Sequence, residues 1–316
     1  MGDQSESNEL DREVDASMRM FEKSNVGPAA AITPIKPSRI MVVLDGASQD
    51  DTSIAAASVM RDRFNVETIV LDARDKTSSN KAAGDETDLA IERSSQVVGS
   101  RPIKRSEGDS YEAILSAVKE HDVDLVIVPC PFGRSFEQIG TDSAGTVIDV
   151  LLSQCPKPIL VIRRDDQNVG DCLRSIRFVV ASESDTENRA AAWAFGLIAE
   201  KGSITLNLVV EKEQYQNLRS ILEALHPEDT IDEQKFADAL TKTHESLHGA
   251  MAKTASALGL TYALLPQASE AAPPNSLSDS TMQLLVLPIE VDDRFTQGFV
   301  QDRIRRSPHP VLIVPG

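Results

Sequence analysis

Apolar residues fall along this chain in short continuous runs, and one run occurs twice: PKPILVI at Pro156–Ile162 returns as PHPVLIV at Pro308–Val314. Other landmarks return in the same order. The β-branched run ending at Val43 recurs ending at Val180, and DLVIVP at Asp124–Pro129 recurs as QLLVLP at Gln283–Pro288. Ordered landmarks at a domain-sized spacing imply two copies of one unit. The second copy is longer than the first between the first two landmarks and shorter between the last two, so its lost residues fall in the loop best placed for chemistry.

Between the runs the pattern changes to helical spacing. Residues Asp51–Phe64 put Ala56, Val59, Met60 and Phe64 on one face. Ser110–His121 follows a capping signal, Asp109 with Glu112 three residues on. The pattern predicts, for the first copy, strands over Arg39–Asp45, Glu67–Asp72, Arg101–Arg105, Leu125–Pro129 and Ile159–Arg163, with helices over 51–64, 87–98, 110–121 and 145–153 between them. For the second copy it predicts strands over Ile176–Ala181, Ile204–Val210 and Tyr262–Leu265, a helix over Thr186–Ala199 and a helix-rich region from Glu213 to Leu258. Pro273 and Pro274 argue against a helix after Leu265, where the first copy has its 110–121 helix.

Strands alternating with helices imply parallel sheets covered on both faces, because a parallel crossover needs a helix-length connection. The expected fold is therefore α/β and Rossmann-like, two tandem open parallel-sheet domains over 37–165 and 174–316. A polar linker joins them. Residues 1–36, acidic and then Pro- and Ala-rich, read as a flexible arm.

Composition narrows the partners. The 316 residues suit two cores, and a hydrophobic content of 41 % is enough to fill both. A net charge of −17 argues against a nucleic-acid backbone as partner. No apolar stretch approaches membrane-span length, and the acidic first residues lack the character of a signal peptide, so the chain reads as cytoplasmic with no membrane partner. Cys130, Cys155 and Cys172 are odd in number and form no CxxC, which suggests neither a disulfide framework nor a thiolate zinc site. Cys130 reads better as a small residue beside a tight turn than as a redox thiol.

In an open parallel sheet, ligands bind at the carboxyl ends of the strands where the strand order reverses. In the first copy those ends read VVLDGAS (Val42–Ser48) and VPCPFGRSFEQIGTDSAGT (Val128–Thr146). Glycines let backbone N–H groups approach a phosphate, and a helix N-terminus adds a favourable dipole; Gly145 directly opens a helix. Asp45 would then accept hydrogen bonds from a ribose or base. The plain alternative is a Gly/Ser-rich turn with an acidic residue at a strand end.

These residues resemble the universal stress protein family. Its pattern is a strand ending V-D-G-S, a GD turn before the third helix, a D-L-I-V-M-G strand, a loop spaced G-x2-G-x9-G-S, and a terminal helix closing on P-C-P-V-L-V-V. Here VVLDGAS, EGDSYEAIL, DLVIVP, GTVIDVLLSQCPKPILVI and PHPVLIV match in order, from Arg39 to the C-terminus, as a tandem pair. The resemblance implies a five-stranded parallel sheet of the HUP type, strand order 3-2-1-4-5, in a family where some members bind ATP and others do not. It also implies subunit pairing through the last strand, hence an internal pseudo-dimer across Ile159–Ile162 and Val311–Val314, with a further homodimer compatible. The site it implies for ATP or a related adenine nucleotide comprises Asp45, Gly46, Ser48, Leu71 (lining adenine), Pro129, Gly133, Arg134, Gly145, Thr146 and Val147. Two departures stand out: Cys130 takes the first glycine's place, and eleven residues rather than nine separate Gly133 from Gly145. Asp142 in the widened loop would repel phosphate, and Arg134 would offset it.

The second copy departs further. Its first strand ends ASES without Asp, and PIEVDDRFTQ (Pro288–Gln297) brings Glu290, Asp292 and Asp293 where the glycine loop stood, so this half is expected to hold no nucleotide. His244–His248 reads HESLH, which matches the HExxH pattern of zinc hydrolases. Assuming one continuous helix, Phe236, Leu240, Leu247, Met251 and Leu258 form its buried stripe, His244 borders that stripe, His248 lies on the flank, and no third ligand follows. A solvated helix flank is the better reading, with metal residues none. Two function classes remain: a regulatory module that binds ATP in its first half and signals through an unidentified protein partner, or a ligand-free interaction scaffold. No Walker lysine or evident base is present, so any ATP hydrolysis would be slow.

Overall fold

The computed structural model describes residues 30–74, 89–134, 143–181, 186–211, 215–217, 219–221, 233–269, 282–290 and 292–316. The first half runs β1 (Arg39–Leu44), α1 (Gln49–Phe64), β2 (Glu67–Asp72), α2 (Leu89–Ser94), β3 (Arg101–Ile103), α3 (Ser110–Glu120), β4 (Leu125–Pro129), α4 (Thr146–Gln154) and β5 (Ile159–Ile162). A single turn, α5 (Val169–Cys172), lies within the polar linker. The second half follows as β6 (Ser175–Val180), α6 (Thr186–Leu197), β7 (Ser203–Glu211), α7 (Glu233–Thr243), α8 (Glu245–Leu258), β8 (Thr261–Ser269), β9 (Leu284–Ile289), α9 (Arg294–Arg306) and β10 (Val311–Pro315).

Ten strands make one sheet, ordered β3-β2-β1-β4-β5-β10-β9-β6-β7-β8. Within each half every pair is parallel and the order is the expected 3-2-1-4-5. The halves meet where the repeated run pairs with itself: β5 and β10 are antiparallel, with Leu160 opposite Leu312 and Val161 opposite Val311. Two such similar edges, each apolar and each otherwise open, complete one another. The central strands are buried on both faces, which is why they read as unbroken apolar runs. Helices α1, α2, α6 and α8 close one core, and α3, α4 and α9 the other; both cores cross the β5–β10 seam.

Local signals act as the sequence suggests at several ends. The Glu112 side chain accepts the Asp109 N–H at the start of α3 (3.0 Å), and Asn65 ends α1 in the left-handed region at φ 54°. Three expectations change. The helix expected over 87–98 is the six-residue α2, followed by turns closed by Val97 N–H to Ser94 C=O and Ser100 N–H to Val97 C=O. Strand β8 is longer than expected, because its full length pairs with β7. Residues 30–36, expected as part of a flexible arm, form a strap on the second half. The Ile32 N–H donates to Thr254 Oγ1 (2.8 Å), the Ile35 N–H donates to Ala192 C=O (2.9 Å), and Ile32 packs into the core beneath. Backbone donors without local partners found acceptors on helices far away in sequence. Among the described residues no helix is long and apolar enough to cross a membrane.

Candidate functional site

The first-half crevice is built at the ends of β1 and β4. Beyond β1 the chain turns through Gly46, at φ +81°, into α1. Asp45 is 6 % exposed, and its carboxylate is already engaged: Oδ1 accepts the Ala47 N–H (2.8 Å) and Oδ2 accepts the Gly133 N–H (2.6 Å). The expected sugar-binding carboxylate thus clamps the β1 loop to the β4 loop. Asp50, in the first turn of α1, repeats the motif from below, accepting the Asp45 N–H at 3.0 Å and the Gly46 N–H at 2.9 Å.

Two buried carboxylates side by side resist ionisation together. Burial pushes the Asp45 carboxyl up against its backbone hydrogen bonds, and burial reinforced by the Asp45 charge pushes Asp50 up to about 7. Asp72 behaves oppositely. Burial works to raise it, but Arg74 grips it with a two-pronged contact (2.9 and 2.7 Å), and these bonds hold it below the usual carboxylate range. The Arg74 stem covers the first loop: a Cβ on Gly46 would meet Arg74 Cδ at 2.9 Å, so this glycine answers both to its φ and to a close neighbour.

On the β4 side, Pro129 ends the strand buried opposite Ile162, and Cys130 follows with no exposure. Its thiol donates to the Ala144 C=O (3.3 Å), tying the two ends of the loop together, and Arg163 Nη1 lies 3.8 Å from the sulfur. Burial drives the Cys130 thiol to about 12 despite that guanidinium. A thiol held protonated so far above neutrality is a packing residue, as its place beside a turn suggests.

Helix α4 opens at Gly145 (φ +90°), which has no side-chain cap; its own N–H is met by Ser143 Oγ at 3.0 Å. An ideal Cβ there would come within 3.8 Å of the Phe132 N, so the helix start stands beside the backbone that leads to Gly133. Gly133 (φ +71°) and Arg134 are exposed, as are Gly46, Ser48 and Thr146; Val147 is half-buried against the α4 core. The structure therefore gathers Asp45, Gly46, Ser48, Pro129, Gly133, Arg134, Gly145, Thr146 and Val147 at one crevice. Leu71 stands apart. It is fully buried beside Val43 in the core, one residue short of the strand end. Gly140 and Asp142 lie outside the described residues.

The corresponding places in the second half differ. Residues 182–185 after β6 lie outside the described residues. After β9 the chain passes directly through Glu290 and Asp293 into α9; the Asp293 C=O accepts the Gln297 N–H, and its carboxylate accepts the Thr296 hydroxyl, so a carboxylate stands at this helix start. The HESLH stretch is not one helix. The chain breaks between α7 and α8 at His244, whose Nδ1 lies 3.1 Å from Leu240 C=O and whose Nε2 lies 3.8 Å from Glu187, while His248 Nδ1 meets the Tyr262 hydroxyl at 2.8 Å. Leu258, the last residue of α8, is 47 % exposed and so departs from the buried stripe that Leu247 and Met251 keep. Among the described residues no three His, Cys, Asp or Glu side chains cluster as a metal site would require.

Residues that pattern reading missed are Asp50, Arg74 and Arg163. Only Asp50 left a trace, as an acidic residue in a helix's first turn.

A parallel α/β sheet of order 3-2-1-4-5 repeated in tandem defines a doubly wound fold, with a glycine-bearing crevice at the carboxyl edge of its first half. No protein-family model and no curated protein matches the sequence. Solved structures do match. A universal stress protein from Archaeoglobus fulgidus aligns over 88 % of this chain and 96 % of its own, with 14 % identity and a TM-score of 0.56. A Pseudomonas aeruginosa protein of unknown function aligns over 88 % and 92 %, with 12 % identity and a TM-score of 0.51. A candidate universal stress protein from the same species aligns over 88 % and 93 %, at 12 % identity and 0.50. The chain has the tandem universal-stress-protein fold.

Proposed function

We propose that this chain is a stress-response regulatory protein that binds ATP or a related adenine nucleotide in its first half and acts through contacts with a protein partner. The observation that carries the reading is the start of α4. Gly145 leaves that helix N-terminus without a side-chain cap, beside the Phe132–Gly133 backbone, so amide N–H groups and the helix dipole are available to phosphate oxygens. The adenosine moiety would lie toward the β1 loop and must displace or share the hydrogen bonds that Asp45 now makes. The second half offers the opposite charge pattern: Asp293 stands at the start of α9, with Glu290 beside it.

The engaged Asp45 and buried Leu71 favour one second reading, a ligand-free interaction scaffold of the same fold. Titration calorimetry with ATP separates them. One site per chain is expected, and Gly145→Asp should weaken it by at least about tenfold, because a side chain there combines left-handed strain with like charge against phosphate. Two sites, or affinity indifferent to the substitution, would refute the asymmetric site; no binding by the unaltered chain would leave the scaffold.

A further inference from the structure

A second cavity, of about 490 Å³, is bounded by four segments that each come shortly before a strand. Pro34 and Lys36 come from the strap before β1, Arg63 and Phe64 from the end of α1, Phe195 to Glu200 from the end of α6, and Leu258 with Leu260 from the end of α8. Both halves of the chain and the strap between them are needed to enclose it. The volume lies within the roughly 300–1,000 Å³ of small-molecule sites.

Its lining divides into two chemistries. Phe64, Phe195, Ile198, Leu258 and Leu260 make an apolar wall, and Leu258 keeps 47 % of its surface exposed while Met251 and Ala255 on the same helix are fully buried. The charged residues are Lys36, Arg63 and Glu200. Arg63 donates to the Ile198 C=O and lies over the Phe64 ring at 5.2 Å; burial pulls its pKa down and the Glu200 charge opposes that pull. Arg63 is thus engaged by the Ile198 carbonyl and the Phe64 ring, whereas Lys36 is exposed and has no hydrogen-bond or ion-pair partner among the described residues. The lining carries a net single positive charge in a chain of net charge −17.

We infer that this cavity binds an amphipathic organic monoanion, a carboxylate or sulfonate on an apolar body of small-molecule size. The apolar body lies against Phe64, Leu258 and Leu260, where burial replaces exposed hydrocarbon. The anionic head meets Lys36 at the mouth, a charge-assisted contact that no residue of the chain supplies.

The test uses the full chain and anilinonaphthalene sulfonate as a fluorescent probe, with octanoate and octanol as competitors. One site per chain is expected, displaced by octanoate and much less by octanol at equal concentration. Lys36→Glu should weaken the probe by about tenfold or more, the scale of a hydrogen bond to a charged group, and Lys36→Arg should restore it. Thermal unfolding should be unchanged, since Lys36 is exposed and unpartnered; Leu258→Gln, at another exposed position, provides a second variant that should also weaken binding. Equal binding by Lys36→Glu, equal competition by octanol, or several weak sites would each overturn the inference. Saturating ATP should leave probe affinity unaltered, so the outcome is read separately from that of the nucleotide site.

Discussion

At the end of β1, Asp45 and Asp50 stand together in a space that excludes water, and their ionisation is a local balance with a measurable sign. Asp50 keeps its proton to about pH 7, whereas an unfolded chain releases it near pH 4. The native state therefore binds more protons between those values. The contribution of this group to stability is full below about pH 4 and is lost as pH rises toward 7. Carboxyl NMR titration should find an Asp50 midpoint near 7, and Asp45→Asn should move it downward by removing the neighbouring charge while burial keeps it above an ordinary aspartate. An unchanged midpoint would show that the two carboxyls do not interact. None of this was legible beforehand: the motif VVLDGAS locates Asp45 at a strand end, but the Gly133 N–H that occupies its Oδ2 comes from 88 positions away.

Among elements, the strap shows how an irregular segment becomes fixed. Gly196 on α6 is what admits it: a Cβ at that position would stand 1.6 Å from the Ile35 carbonyl oxygen. Gly196→Ala must push the strap outward and break the Ile35 N–H bond to Ala192. Overpacking of this kind costs typically about 1–3 kcal/mol, and urea unfolding is expected to show it, with faster proteolytic cleavage around Ile35. Unchanged cleavage and stability would mean that the strap adds nothing. Strands β1, β4, β5 and β10 were predictable because double burial makes their sequences continuously apolar. The strap was not, because its only large apolar residues are Ile32 and Ile35, too few to set a period, and Pro34 stands between them. The α7–α8 break escaped for a related reason: helical spacing continues across His244, and only the geometry at that residue shows the interruption.

For the whole molecule, the seam between β5 and β10 decides how the halves act. The repeat PKPILVI and PHPVLIV made the pairing strands readable, since two similar apolar edge strands, each paired on one side only within its own half, must be covered on the other. Leu160, opposite Leu312, lies fully buried at this seam. Leu160→Ala should cost about 2–5 kcal/mol in chemical unfolding. Because both cores cross the seam, the loss should appear in a single cooperative transition; two separated transitions would show that the halves unfold independently. The same repetition exposed the divergence of the two carboxyl edges through its unequal spacings, because the strands that carry the fold and the loops between them are constrained by different physics.

That same antiparallel join has a consequence for change over generations. In an assembly of two identical subunits, every substitution is made twice, and a loop weakened on one side is weakened on both. Here the two sides are covalently one and separately encoded. The loop after β9 can thus be short and acidic while the loop after β4 carries Gly133 and Gly145. Association did not have to be maintained through a shared concentration of free partners. A pairing that is always present allows one side to specialise while the other remains as its support.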